Sequence, residues 1–459
     1  MKIGFLPLYI ELYDKIGYAA RTRLEKFYET LACAFEKCGV DVIRTPFCRL
    51  ASEFSEAVAV YEREGADCIV TWHAAYSPSL ESIDALTATS LPIVVMDTTE
   101  TFDFSPLQDS GEISCCHGIH GVMDMCSMLR QRGKTFAIAA GHYPQSDVLE
   151  RVIGYVKAAV AARALPGSKV GILGTSFPGM GDFAISEEEL DARFGVKVVY
   201  GNGAEIAELK AAVSEEAVSA EVKEDLKGAV KLNEFTEETH RLTVRNCLAV
   251  RKWLEKNGLD AFSVCFLDIT PELGLDIMPF METCKAMARG IGYAGEGDIL
   301  TAALVGALMK GFDTATFIEI FCPDWKNNTL LLSHMGEANY ALVEDKPALK
   351  ELNFIFGEAS NPIVGYARYR EGKATFVNLF KGADGYKLLV SPVQIQGSDG
   401  EDRFVSSIRG WMRPAMPISD FLEKISEAGV THHSALVYEA TPEQLAFFGR
   451  LLGLEVISI

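Results

Sequence analysis

The sequence predicts an α/β protein: two parallel-sheet α/β domains followed by a β-rich, barrel-like C-terminal domain. Three observations predict this. Short apolar runs alternate with helical stripes through the first third of the chain. A second strand–helix series starts after Pro166-Gly167-Ser168. Beyond Gly311 come short strand-like segments with turn residues between them. At roughly 150 residues per domain, 459 residues hold about three domains. Their expected bounds are 1–166, 167–313 and 314–459.

In the first domain, strands are expected at Lys2–Leu6, Asp41–Thr45, Asp67–Thr71, Pro92–Met96 and Thr135–Ala140. Their continuous apolar character suits a parallel sheet covered on both faces. Leu24, Phe27, Leu31 and Phe35 form one helical stripe, ended by Gly39. Ser52 is the expected cap of the next helix, which stops near Gly65.

The second domain is expected to carry strands at Lys169–Leu173, Lys197–Tyr200 and Ala261–Leu267. One charged helical stretch, from Ser214 to about Asn257, would bury Leu242, Leu248, Trp253 and Leu254. In the third domain the strand-like segments are Thr314–Phe321, Thr329–Ser333, Thr375–Leu379, Lys387–Pro392 and Ser434–Tyr438. Asp384-Gly385 and Asp399-Gly400 are turn signals, and a last helix lies near Pro442–Leu452.

The chain has 43 basic and 63 acidic residues, a net charge of -20. A field of that sign repels nucleic-acid phosphates and anionic lipids, so neither is an expected partner. It tolerates a neutral substrate and divalent cations. The eleven cysteines lack the spacing of a disulfide framework or a zinc site and read as reduced core residues. Met1-Lys2-Ile3-Gly4-Phe5-Leu6 leads directly into a strand pattern without a leader-like apolar stretch, and no apolar run is long enough to span a bilayer. A cytoplasmic location is expected.

Four features carry chemistry. The first is Gly295-Glu296-Gly297-Asp298, a glycine-flanked carboxylate before the helix pattern Leu300, Ala303, Leu304, Ala307, Leu308. Such loops place functional groups at strand ends, although an acid there also serves simply as a cap. The second is Glu319, in a strand with no wet face. A buried carboxylate needs a charge partner, hydrogen bonds or a metal, and an Arg or Lys partner is the plain structural alternative. The third is His334, after Leu330–Ser333. The loop Cys322–Asn328 would join its strand to that of Glu319 as a hairpin. The fourth is His432-His433, expected to face opposite ways on one strand. Each has a bland explanation as a core or cap residue. Together they offer two carboxylates and two imidazoles from only eight histidines, a donor set suited to Mn²⁺, Co²⁺ or Mg²⁺.

These motifs resemble the L-arabinose/L-fucose isomerase family, closest to its L-arabinose isomerase branch. Gly295-Glu296-Gly297-Asp298 followed by Thr301-Ala302-Ala303-Leu304, then Glu319, His334-Met335 and His432-His433, keep the family order. His120-Gly121 with Gly141-His142, Lys169–Gly174 and Phe194-Gly195 extend the likeness over nearly the whole chain. The chain departs from the family at Ile299-Leu300 and in the loop Pro7–Tyr13.

The resemblance implies an aldose–ketose isomerase that moves a proton between C1 and C2 through a metal-stabilised enediolate. It implies a divalent metal, most simply Mn²⁺, held by Glu296, Glu319, His334 and His433. Glu296 and Glu319 would also be catalytic, and His120 and His432 would contact sugar hydroxyls. A homotrimer or homohexamer with sites between subunits is implied as well. Two other readings keep parts of this pattern: a non-catalytic sugar-binding or regulatory protein on the same scaffold, and a metal-dependent sugar epimerase.

Overall fold

The computed structural model describes residues 1–15, 21–233, 235–397 and 400–459. The chain divides into two compact units, Met1–Arg163 with Arg450–Leu452, and Ala164–Gly449 with Gly453–Ile459.

The first unit holds β1 (Lys2–Leu8), β2 (Asp41–Arg44), β3 (Cys68–His73), β4 (Ile93–Asp97) and β5 (Phe136–Ala140). They form one parallel sheet in the order β2-β1-β3-β4-β5. Strands β3 and β4 are buried almost throughout because helices cover both faces. The helix Arg21–Lys37 buries Leu24, Phe27, Leu31 and Phe35, as the stripe requires. The next helix, Ala51–Arg63, is not capped by Ser52. Leu50 occupies the cap position, and the Glu53 carboxylate accepts the Arg49 and Leu50 amide N–H groups instead. An acid one turn in can satisfy these free donors as well as a capping hydroxyl.

The second unit begins with β6 (Lys169–Leu173), β7 (Lys197–Tyr200), β8 (Val230–Lys231), β9 (Ala261–Val264) and β10 (Gly292–Gly295). All but β8 form a parallel sheet in the order β10-β9-β6-β7. Two expectations change here. The strand expected to reach Leu267 ends at Val264, where a short 3-10 turn, Phe266–Asp268, begins. The expected single helix from Ser214 is two, Glu215–Gly228 and Glu237–Asn257, capped by Ser214 and Thr236 through their hydroxyls. The interruption lets β8 pair with a later strand, and Leu242 is only half-buried.

The rest of the unit supplies β11 (Ala315–Asp324), β12 (Thr329–Ser333), β13 (Ala348–Glu351), β14 (Ile363–Tyr366), β15 (Gly372–Gly382), β16 (Gly385–Gln396), β17 (Gly410–Pro414), β18 (His433–Tyr438) and β19 (Glu455–Ser458). Six of them run β15-β18-β11-β12-β17-β16, and β16 returns to β15, so the antiparallel sheet closes into a barrel. Closure removes the exposed sheet edges. Ile318, Leu332, Phe376, Leu389, Met412 and Leu436 belong to its core. Strand β13 pairs with β14 on one side and β8 on the other in a small sheet. The hairpin expected at Asp384-Gly385 joins β15 to β16. The second turn signal falls on Asp399, which lies outside the described residues. The helix Ile418–Ala428 is one that the sequence pattern did not announce.

No disulfide joins the cysteines among the described residues, but Cys33, Cys38 and Cys322 are exposed, so the expectation that they are core residues holds only in part. No described helix is long and apolar enough to cross a membrane.

Candidate active site

Strand register assembles one side of the site. On β11, Glu319 is the partner of Ser333 on β12 and of His433 on β18. His334 directly follows Ser333. Three ligand-type side chains from distant segments therefore meet on one patch of barrel. The Glu319 carboxylate lies 3.6 Å from His334 Nε2. The hairpin loop is shorter than expected, because β11 continues to Asp324 around a bulge between Ile320 and Cys322.

The other side comes from the end of β10. Glu296 has φ 63° and Gly297 φ 82°, so the chain turns sharply before the helix Ile299–Phe312. A left-handed backbone at a glutamate is disfavoured and has to be held by its surroundings. Here the Glu296 N–H donates to Val264 O at 3.0 Å, its carbonyl accepts from Phe177 N–H at 2.8 Å, and Gly297 N–H donates to Ser263 Oγ at 2.8 Å. A side chain at Gly297 would collide with the Thr175 carbonyl and the Ser176 backbone. One at Gly295 would come within 2.9 Å of the His334 ring. The Glu296 carboxylate is 3.8 Å from His433 Nε2 and 4.0 Å from His432 Nε2.

The four residues expected as ligands thus fall into two groups that share His433: Glu319, His334, His433, and Glu296, His432, His433. Within each group the ligand atoms lie within 4.8 Å of one another. The two adjacent histidines do not face opposite ways as expected. His432 precedes β18 rather than lying in it, and the two rings sit 4.3 Å apart, both near Glu296. Glu319 does not have the Arg or Lys partner of the plain structural alternative among the described residues. His120 lies in the first unit, exposed on the helix Gly118–Gln131, with His117 and Tyr76 edge-on against its ring.

Three further carboxylates orient the histidines, and sequence reasoning assigned them no such role. His334 Nδ1 donates to Glu337 Oε2 at 2.6 Å, and Glu337 also accepts from Gly336 N–H and Tyr293 Oη. His433 Nδ1 donates to Asp298 Oδ2 at 3.1 Å, while the other Asp298 oxygen caps the helix at Thr301 N–H. His432 Nδ1 donates to Asp182 Oδ2 at 2.6 Å. The signals were short-range: Glu337 is three residues after His334, and Asp182 ends Gly179-Met180-Gly181-Asp182.

Charge follows from these contacts. Burial disfavours the His334 imidazolium, but Glu337 and then Glu319 outweigh it, and the pKa rises to about 9. Burial lifts the Glu319 carboxyl above the usual range, against the pull of His334, His433 and His432. Burial also works against the Asp182 and Glu337 carboxylates, yet the hydrogen bonds they accept hold both below it.

The donor chemistry fits a divalent cation. His433 Nε2 is buried and has no hydrogen-bond partner among the described residues, while its Nδ1 is held by a carboxylate. A histidine with one nitrogen so anchored and the other free is the usual metal-ligand arrangement. Glu296, Glu319 and His334 also line one cavity of about 530 Å³.

Fold and site define a class: parallel α/β sheets and a closed antiparallel barrel, with a carboxylate–imidazole cluster at strand ends. The family model of the L-arabinose isomerase central domain matches residues 180–312, and that of the L-arabinose isomerase C-terminal domain matches residues 314–455. The chain is 24% identical to L-arabinose isomerase of Pediococcus pentosaceus over 410 residues, 85% of this chain and 84% of that one. It is 25% identical to L-arabinose isomerase 1 of Bacillus licheniformis over 405 residues, 85% and 80% of the two chains. Against L-arabinose isomerase of Shouchella clausii it is 24% identical over 477 residues, 99% and 93%. The chain belongs to the arabinose isomerase-like family of aldose–ketose isomerases.

Proposed function

We propose that this chain is a divalent-metal-dependent aldose–ketose isomerase acting by proton transfer between C1 and C2 of a sugar. The observation that carries this is the buried, unpartnered His433 Nε2, grouped with both Glu296 and Glu319.

Glu296, Glu319, His334 and His433 would hold the cation, most simply Mn²⁺, with Co²⁺ or Mg²⁺ as alternatives. When bound, it supplies Lewis-acid polarisation of the sugar carbonyl. The remaining work falls to the chain. Glu319, with its carboxyl lifted by burial, is suited to act as an acid–base group. Glu296 serves as the second acid–base group, held on its left-handed turn. Asp182 fixes the His432 ring, which would contact a sugar hydroxyl. His120, from the first unit of a neighbouring chain, would contact another in a trimer or hexamer with sites between subunits. The proposed functional division is 1–166, 167–313 and 314–459, and the expected location remains cytoplasmic.

The test is ketose formation by Mn²⁺-loaded protein over a panel of aldoses. Glu296→Gln and Glu319→Gln should each lower kcat about 100- to 10,000-fold with Tm retained. Near-wild-type turnover by either variant, or full activity after chelation, would sink the assignment.

A further inference from the structure

Two adjacent residues between β6 and the helix Glu187–Phe194 meet the two adjacent histidines in matching order, 250 positions later in the chain. Asp182 holds His432: its Oδ2 accepts from the His432 amide N–H at 3.0 Å and from Nδ1 at 2.6 Å. Phe183 meets His433. Its ring lies parallel to the imidazole, with 5° between the planes and 5.0 Å between centroids. It also tilts against His432 at 5.5 Å. From β11, Phe317 stands edge-on to His433 at 4.9 Å. Phe183 and His433 are both buried. The same loop reaches the other side of the site, where Phe177 N–H donates to the Glu296 carbonyl at 2.8 Å.

His433 needs more than its one hydrogen bond. It is shared by both ligand groups, so its direction matters to each. The Asp298 contact at 3.1 Å decides which ring nitrogen carries the proton. It holds the ring plane only loosely, because the outer torsion of a histidine side chain has broad minima. Turning about that torsion swings Nε2 away from Glu296 and Glu319. A working constellation has to be held within about 0.5 Å and 10–20°. A flat ring against the imidazole face, with the Phe317 edge also against it, blocks the turn by contact. Offset parallel packing is also a favoured arrangement for rings.

We infer that Phe183 is a positioning residue for cation binding: it fixes the plane of His433, as Asp182 fixes His432, and so aims Nε2 at the Glu296 and Glu319 carboxylates. This rests on the metal-dependent isomerase reading and adds to it a residue that carries no ligand atom. The plain alternative is that Phe183 only fills the core, in which case any apolar side chain of similar size serves as well.

The test loads the full chain with Mn²⁺ or with Co²⁺ and compares Phe183→Leu, Phe183→Met and Phe183→Tyr. Leucine and methionine keep apolar bulk without a flat ring. Tyrosine keeps the ring, and Phe183 borders a cavity of about 270 Å³ that offers room for the hydroxyl. The Leu and Met variants should bind Mn²⁺ about tenfold more weakly by calorimetry. The visible absorption of their Co²⁺-loaded forms, which reports ligand geometry, should shift. Their kcat should fall about tenfold with KM little changed, and the Tyr variant should match wild type in all three measurements. Wild-type affinity and absorption in the Leu and Met variants, or equal losses in the Tyr variant, overturn the inference and leave the isomerase reading intact. Losses that only track a loss of circular dichroism assign Phe183 to the core and overturn it too. A wild-type chain that binds Mn²⁺ but converts no aldose overturns the isomerase reading, while affinity and absorption still decide the role of Phe183. Wild type that binds neither ion overturns both.

Discussion

His73 in the first unit and His334 in the second are both buried, yet the structure drives them to opposite charge states. His73 closes β3, and neither of its ring nitrogens has a hydrogen-bond partner among the described residues. Burial pushes its pKa down to about 3, against a small pull from Asp124. His334 follows β12 with the Glu337 carboxylate 2.6 Å from Nδ1, and its pKa stands at about 9. Glu337, with Glu319 behind it, outweighs desolvation. It also fixes which nitrogen is occupied, so that Nε2 is left facing Glu319. Burial alone makes a histidine a core residue, whereas burial with an anchoring carboxylate makes it a candidate ligand.

The strongest way to break this contrast is to move the anchored ring. Gly295→Ala places a methyl group against the His334 ring, and kcat should fall about 100-fold while far-ultraviolet circular dichroism stays unchanged. Removing the anchor comes next. Glu337→Gln should weaken Mn²⁺ binding about 10- to 100-fold by titration calorimetry; unaltered affinity would show that Glu337 is only a structural partner. Asp182→Asn removes the charged acceptor that holds His432. It should raise KM about tenfold and change kcat little, since His432 is assigned to substrate contact rather than proton transfer.

The smallest effect sharpens the other side. The folded-state pKa of His73 lies below its unfolded value of 6.5. Its contribution to stability is therefore complete above pH 6.5 and is lost as pH falls towards 3. Denaturant unfolding of wild type and His73→Leu should show the wild type losing about 2 kcal/mol relative to the variant between pH 6.5 and 5. Parallel pH profiles would mean that His73 is solvated or paired.

Much of this architecture was legible because it is local. The stripe Leu24, Phe27, Leu31, Phe35 and the apolar runs at β1 to β5 carry their own periodicity. The pattern change after Gly311 marks the barrel. The elements missed or misplaced were decided by particular contacts. Glu53 took the capping task expected of Ser52, and pairing of β8 with β13 interrupted the charged helical stretch. The helix Ile418–Ala428 follows Pro417 and ends at Gly429, both visible signals that the strand-rich surroundings masked.

For the site, the residue types were legible and their arrangement was not. By itself the sequence determined the fold class, the glycine-flanked turn at Glu296, and the supply of two carboxylates and a histidine set in family order. Tertiary structure decided that Glu319 is in register between Ser333 and His433, that both His432 and His433 approach Glu296, and that Asp182, Asp298 and Glu337 anchor the three rings. The physical reason is range. Helical and strand periodicities act over a few residues, whereas register across a closed barrel and the choice of a hydrogen-bond partner join segments more than a hundred residues apart, as with Asp298 and His433.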